Sequence, residues 1–325
     1  MQTGRSLAKL AIILTTTAPL ASCGFFAELT AMRTFKDANL NYGRAAYAEA
    51  IEEYEEVVTV LENGAEGELS QTMSAVYFYI ANSYDNLYKP AQQGDPINDA
   101  FLGHAAEYYR LGAERSFDPS LRKLSMQYLV SVYGSDRLND PSATVPILLE
   151  MIELDPTDPD NYFALARLCE EAGLLDEARD VMQTAREVRP DDPTVYLQLA
   201  GFFNRTGDFD QTIEALQQRA AIEPNNPEAY YTISTYYWEK AFRDFRITQD
   251  VKAEYVQSGI EAADRAIELN ERYVDALVYK NILLRMQANM TEDVDEQETL
   301  IAEADELRNR ATQLQEEAQG RPAAG

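Results

Sequence analysis

Apolar residues recur along this chain at helical spacing, and the helical stretches themselves recur at a fixed distance. Tyr162, Leu165, Ala166 and Cys169 fall at i, i+3, i+4 and i+7, one stripe of a first helix, and Gly173 then breaks the chain for a turn. Ala178, Met182 and Ala185 form the facing stripe of a second helix, which ends before Pro190 because a helix cannot run on through proline. The pattern returns 34 residues later as Tyr196, Leu199, Ala200, Phe203, Gly207, Thr212, Leu216 and Pro224, and Pro159, Pro193 and Pro227 keep the same interval. Such a period predicts stacked helix-turn-helix units, each burying its apolar face only against its neighbours. Small residues at Ala166, Ala178 and Ala200 suit closely packed helices. Function is then expected on an extended surface, not in a closed pocket.

Looser copies extend the array both ways. Leu129, Val130 and Tyr133 with Ala143, Ile147 and Pro156 make one upstream unit. Tyr77, Ile80, Ala81 and Tyr84 with Ala105 and Tyr109 make another, and Tyr47, Ala50, Tyr54 and Val57 fit the second helix of an opening unit. Downstream, Tyr230, Ile233, Ser234 and Tyr237 pair with Ala263 and Ala266, and Leu277 and Leu284 begin a seventh unit.

These units resemble the tetratricopeptide repeat over roughly residues 31–318, best in the two central copies and loosest at the ends, where capping units depart from consensus. The resemblance implies an all-α superhelix, an α-solenoid of about six to seven repeats with a C-terminal capping helix. It also implies a groove, lined by the first helices, that binds extended or helical peptides. The family's groove positions fall here on Phe163, Arg167, Leu197, Asn204, Arg205, Tyr231 and Trp238, off the packing stripes and so expected to carry no core duty. The arginines do not reproduce the lysine and asparagine clamp of chaperone-binding relatives. An amphipathic segment making aromatic and acidic contacts is therefore expected in place of a C-terminal carboxylate.

Two insertions break the turns within units, at residues 89–104 and 241–257. The second carries Phe242, Arg243, Phe245, Arg246 and Lys252 and has helical spacing, so it either presents a binding loop or lengthens its helices. Leu300, Ala304, Leu307, Ala311, Leu314 and Ala318 form a seam of fewer than three heptads, read as a capping helix on the seventh unit. That reading goes with a monomer or a weak dimer. The tail 319–325 is expected to be disordered.

The N-terminus follows a different logic. Arg5 and Lys9 precede a thirteen-residue uncharged run, Leu10 to Ser22, too short for a permanent membrane span and typical of a secretory signal. It ends in Leu20-Ala21-Ser22-Cys23-Gly24, which resembles a bacterial lipobox. The resemblance implies a signal peptide over 1–22, acylation of Cys23 and a lipid-anchored linker over 23–30. Two or three acyl chains anchor stably where one would not. Localisation is then expected on the periplasmic side of the envelope, and Gly24 in place of Asp favours the outer membrane over the inner.

Composition narrows the partners. The chain holds 55 acidic and 28 basic residues, and loss of Arg5 and Lys9 with the signal leaves 26 basic residues and a net charge of −29. Such a field disfavours nucleic acid. No catalytic constellation is expected either. His104 is the sole histidine, with no serine or cysteine nearby to activate, and is read as a surface or cap residue at the start of a displaced second helix. Cys169 is read as a small core residue, and one thiol with one histidine cannot build a structural zinc site. Asp293 and Asp295 resemble the opening of a calcium loop, but Glu298 stands where that loop needs glycine. No metal or cofactor is expected. The expected function is a non-catalytic envelope scaffold or adaptor that binds a protein or peptide. Ala276-Leu277-Val278-Tyr279-Lys280-Asn281 faintly resembles proteins encoded beside Ton and Tol motors, which implies an accessory role in energy transduction as the alternative.

Overall fold

The computed structural model describes residues 20–64 and 67–320, with side chains from Phe26 onward, and among these residues all regular structure is helical. Six helix starts follow from two adjacent residues. Asp95, Asp118, Asp140, Asp158, Asp192 and Asn226 each turn a side-chain oxygen onto a backbone N–H of the coming turn, and each is followed by proline. Proline is favoured there because its missing N–H would have had no helical partner and its φ is already helical.

Two compact units divide the chain, Met1–Asp155 and Pro156–Gly325. The first holds α1 (Leu20–Gly43), α2 (Tyr47–Glu62), the short α3 (Glu68–Met73), α4 (Val76–Leu87), α5 (Pro96–Arg115), α6 (Pro119–Val132) and α7 (Pro141–Leu154). Helices α1/α2, α4/α5 and α6/α7 pair as hairpins. Tyr54, Met73, Ile80, Leu102 and Tyr109 are fully buried between them, and each such side chain contributes about 1.5–3 kcal/mol on leaving water. Several polar groups that go in with them are paired. Tyr42 donates to Asn82 Oδ1 at 2.7 Å, Asn82 donates to the Tyr109 hydroxyl at 3.1 Å, and Arg137 holds Asp85 at 2.7 Å.

The second unit holds α8 (Pro159–Glu171), α9 (Leu175–Val188), α10 (Pro193–Thr206), α11 (Phe209–Ile222), α12 (Pro227–Arg243), α13 (Gln249–Leu269), α14 (Val274–Ala288) and α15 (Val294–Ala318). These pair as four hairpins. Their 34-residue period has a hydrogen bond at its root. Tyr162, Tyr196 and Tyr230 donate to the carbonyl oxygens of Pro156, Pro190 and Pro224 at 3.0, 2.8 and 3.4 Å, so each first helix is tied to the proline that closes the hairpin before it. Gly207 ends α10 at φ +84°, a left-handed cap that a side chain would strain.

Several sequence expectations change. Residues 89–104 hold one turn of 3-10 helix at Pro90–Gln92, and the remainder lengthens α5 at its start. His104 therefore lies inside α5, exposed, its ring stacked on Tyr84 at 4.9 Å, and is not a cap. Residues 241–257 mostly lengthen α12 and α13 to 17 and 21 residues against 14 in α10 and α11, leaving a short link at 244–248. The seam from Leu300 to Ala318 is the second helix of the seventh hairpin, with Ala304, Ala311 and Leu314 buried on it. Helix α1 runs through 23–30, where a linker was expected, because no proline interrupts that stretch. The signal segment before residue 20, the side chain of Cys23 and the tail beyond Gly320 lie outside the described residues.

Candidate protein-binding surface

The sequence assigned seven groove residues to α8, α10 and α12, and the structure divides them by what they touch. Phe163 and Leu197 are half-buried and packed against the core that holds Ala166, Tyr196 and Leu199. They have packing duty after all, because close stacking of successive hairpins draws side chains beside the main stripe into the interface. Asn204 is exposed.

The two arginines are already engaged. Arg167 pairs with Glu171 at 3.2 Å, one turn along α8. Arg205 reaches from α10 to Glu170 on α8, its Nε on Oε1 at 2.8 Å and its Nη2 on Oε2 at 2.9 Å. This fork holds the Glu170 carboxyl below the usual carboxylate range. The expected acidic contacts lose their footing, since neither guanidinium offers uncompensated charge to a partner.

Tyr231 and Trp238 belong to something larger. Tyr231 meets Tyr273, just ahead of α14, at 5.3 Å between centroids and meets Tyr279 at 5.4 Å. Tyr279 stands edge-on to Trp238 at 5.3 Å, and Trp238 stacks on Phe242 at 5.5 Å with the rings 8° from parallel. Five rings thus run in a continuous row across α12 and α14. Trp238, expected to carry no core duty, is packed against the core that holds Ala241, Val256 and Leu284 and is flanked by Phe242 and Tyr279. Its indole Nε1 is buried without a hydrogen-bond partner among the described residues. Phe242 is 64% exposed and Phe245, in the link beyond it, 95% exposed.

The charge beside this row is negative. Asp275 is exposed and forms no ion pair among the described residues, and its charge reaches Tyr231 and Tyr273. Burial, followed by these neighbours, pushes the Tyr231 phenol up to about 12. Near Phe242 three cations share two carboxylates: Arg243 pairs with Glu239 at 2.8 Å, while Lys240 and Arg246 both lie on Asp244, at 3.0 and 2.8 Å.

Tyr273 and Tyr279 were not assigned from sequence, and Phe242 was singled out only as part of the inserted turn. Tyr279 lies two residues beyond Leu277, the counterpart of Tyr230, so it stands off the groove positions used in the earlier copies. Phe242 follows Trp238 by four residues and joins the row only because α12 is longer than its counterparts.

Asp293 and Asp295 have a local explanation. Asp293 caps α15, accepting from the N–H groups of Asp295 and Glu296 at 2.9 and 3.1 Å. Among the described residues no group of three or more His, Cys, Asp or Glu is placed to hold a metal, and no helix is long and apolar enough to cross a membrane. Cys169 is half-buried against the core around Ala166, and burial raises its thiol pKa.

The tetratricopeptide-repeat family model matches residues 137–201, from the α6–α7 turn into α10. This chain carries tetratricopeptide repeats, as its period implies. The structure is similar to the C-terminal part of a TPR repeat-containing protein from Cytophaga hutchinsonii, at 16% identity and a TM-score of 0.53, over 84% of this chain and 95% of that one. That likeness establishes the fold alone. MamA residues 41 to the end, from Desulfovibrio magneticus RS-1, also align at 16% identity, over 65% of this chain and 96% of that one, with a TM-score of 0.39. YrrB, described as a TPR protein with an unusual peptide-binding site, aligns at 16% identity over 61% of this chain and 89% of its own, with a TM-score of 0.38. No curated protein matches the chain.

Proposed function

We propose that this protein is a non-catalytic scaffold of the bacterial envelope, anchored by lipid on Cys23, that binds a protein or peptide partner along the first helices of its second unit. The observation that carries the proposal is the ring row Tyr273–Tyr231–Tyr279–Trp238–Phe242. Aromatic side chains that stay accessible on a rigid array offer large contact area at low entropic cost, which is why they dominate interface anchors. Repeat arrays place such anchors on neighbouring helices at fixed spacing, so a segment of chain can be read along its length. The lipobox supports the anchor.

Affinity purification from detergent-solubilised membranes, with mass spectrometry of what copurifies, tests the whole reading. Partners retained by the wild type and lost with Tyr279→Ala support it. Cys23→Ser should abolish lipid labelling while the repeats still fold, and unchanged membrane fractionation in that variant would show that something else holds the protein there.

A further inference from the structure

The ring row and its surroundings say what charge the partner carries. This inference rests on the proposed binding surface and deepens it. Aromatic faces attract cations through the ring quadrupole, and tryptophan does so most strongly. The row ends beside Asp275, which is exposed and without an ion pair among the described residues. Glu228, another carboxylate near Tyr273, is met at 3.4 Å by Arg219, which Glu223 also holds at 3.2 Å. The nearby basic side chains are engaged: Arg167, Arg205 and Arg243 each pair with a carboxylate of their own, and Lys240 and Arg246 share Asp244. The chain as a whole carries a formal net charge of −27, so the long-range field agrees with the local one.

We infer that the row Tyr273–Tyr231–Tyr279–Trp238–Phe242 takes a cationic amphipathic peptide segment, its apolar side chains lying on the rings and its Arg or Lys side chains meeting Asp275 and the ring faces. The same arrangement disfavours an acidic segment, because Arg167, Arg205 and Arg243 would each have to release a carboxylate to receive another.

Trp238 is the chain's only tryptophan, so its fluorescence reports from within the row. The probes are four synthetic peptides that share one leucine face and differ only in whether every polar-face residue is Arg, Lys, Glu or Gln. An oligoarginine of equal charge without leucines serves as a fifth. The Arg and Lys peptides are expected to shift Trp238 emission saturably, with affinity falling roughly tenfold in Tyr279→Ala, as for an interface anchor. A smaller loss is expected in Asp275→Asn, with unchanged circular dichroism in both variants at a titration temperature where both are folded. Oligoarginine should bind weakly and leave the emission unmoved. Three results overturn the inference: tighter binding by the Glu or Gln peptide, equal affinity of the Arg peptide for wild type and Tyr279→Ala, or no binding by either cationic amphipathic peptide. In the first case the surface stands and only its charge preference falls. Loss of the surface itself would appear separately, as a copurified partner whose binding ignores Tyr279→Ala.

Discussion

Arg205 grips Glu170 through two parallel hydrogen bonds of 2.8 and 2.9 Å, tying the first helix of one repeat to the first helix of the repeat before it. The guanidinium is 57% exposed and the carboxylate 20%, so solvent screens the pair. Arg205→Ala and Glu170→Ala should each lower stability by about 0.5–1 kcal/mol, and the double variant should cost less than the two added. The pH dependence has a definite sign. A carboxyl held below its ordinary value contributes stability above its unfolded pKa of about 4.3 and loses it as pH falls through the lowered folded value. Urea melts of wild type and Arg205→Ala should therefore differ at neutral pH and converge on acidification below about 4. A gap that persists in acid would assign the effect to packing of the arginine stem.

The tyrosine-to-proline hydrogen bonds predict a graded series. Tyr196 donates to the Pro190 carbonyl at 2.8 Å and is buried, whereas Tyr230 reaches Pro224 at 3.4 Å. Tyr196→Phe should cost about 1 kcal/mol, the usual net worth of a buried hydrogen bond, and Tyr230→Phe distinctly less. Equal losses in thermal melts would mean that the ring, not the hydroxyl, sets the period.

Much of this molecule could be read from its chain. The 34-residue recurrence of Tyr, Leu, Ala and Pro specifies hairpins because each position has one physical duty: Tyr196 bonds the previous closing proline, Ala200 permits close approach, and Pro193 starts the helix. The site was only half legible. Trp238 and Tyr231 follow from register, but Tyr273 and Tyr279 lie in a copy whose spacing an insertion has shifted, and Phe242 depends on how far α12 continues. Charge state was the hardest to foresee. Arg205 meets Glu170 across 35 residues, a partnership fixed by superposition of hairpins and invisible in local sequence.

Two glycines separate backbone strain from crowding. A Cβ on Gly207 would meet nothing within 4 Å, yet its φ of +84° is one that L side chains rarely adopt. A Cβ on Gly112 would lie 2.6 Å from the Ser125 hydroxyl oxygen with no unusual φ. Gly207→Ala should cost about 1 kcal/mol through the backbone alone, and no neighbouring change should relieve it. Gly112→Ala should cost at least as much and be partly rescued by Ser125→Ala, which removes the obstructing oxygen. Failure of that rescue, read from melts of the double variant, would show that helix α5 cannot approach α6 with any side chain between them.

Trp238 has two duties that substitutions can separate. It stacks on Phe242 and abuts Tyr279 within the core that holds Ala241, Val256 and Leu284, so truncation removes packing as well as a contact surface. Its indole N–H is buried without an acceptor among the described residues and adds nothing to the fold. Trp238→Phe should therefore keep stability within about 1 kcal/mol, as a smaller apolar ring without that N–H. Trp238→Ala should lose about 2–3 kcal/mol, below the range for a fully buried tryptophan because the ring is only partly enclosed. Binding of the copurified partner should follow the same order, with Trp238→Ala weakened more than roughly tenfold and Trp238→Phe only a few-fold. Titration at a temperature where both variants remain folded separates the two effects. Wild-type affinity in folded Trp238→Ala would confine the indole to a packing role and move the partner's contacts toward Tyr231 and Tyr273.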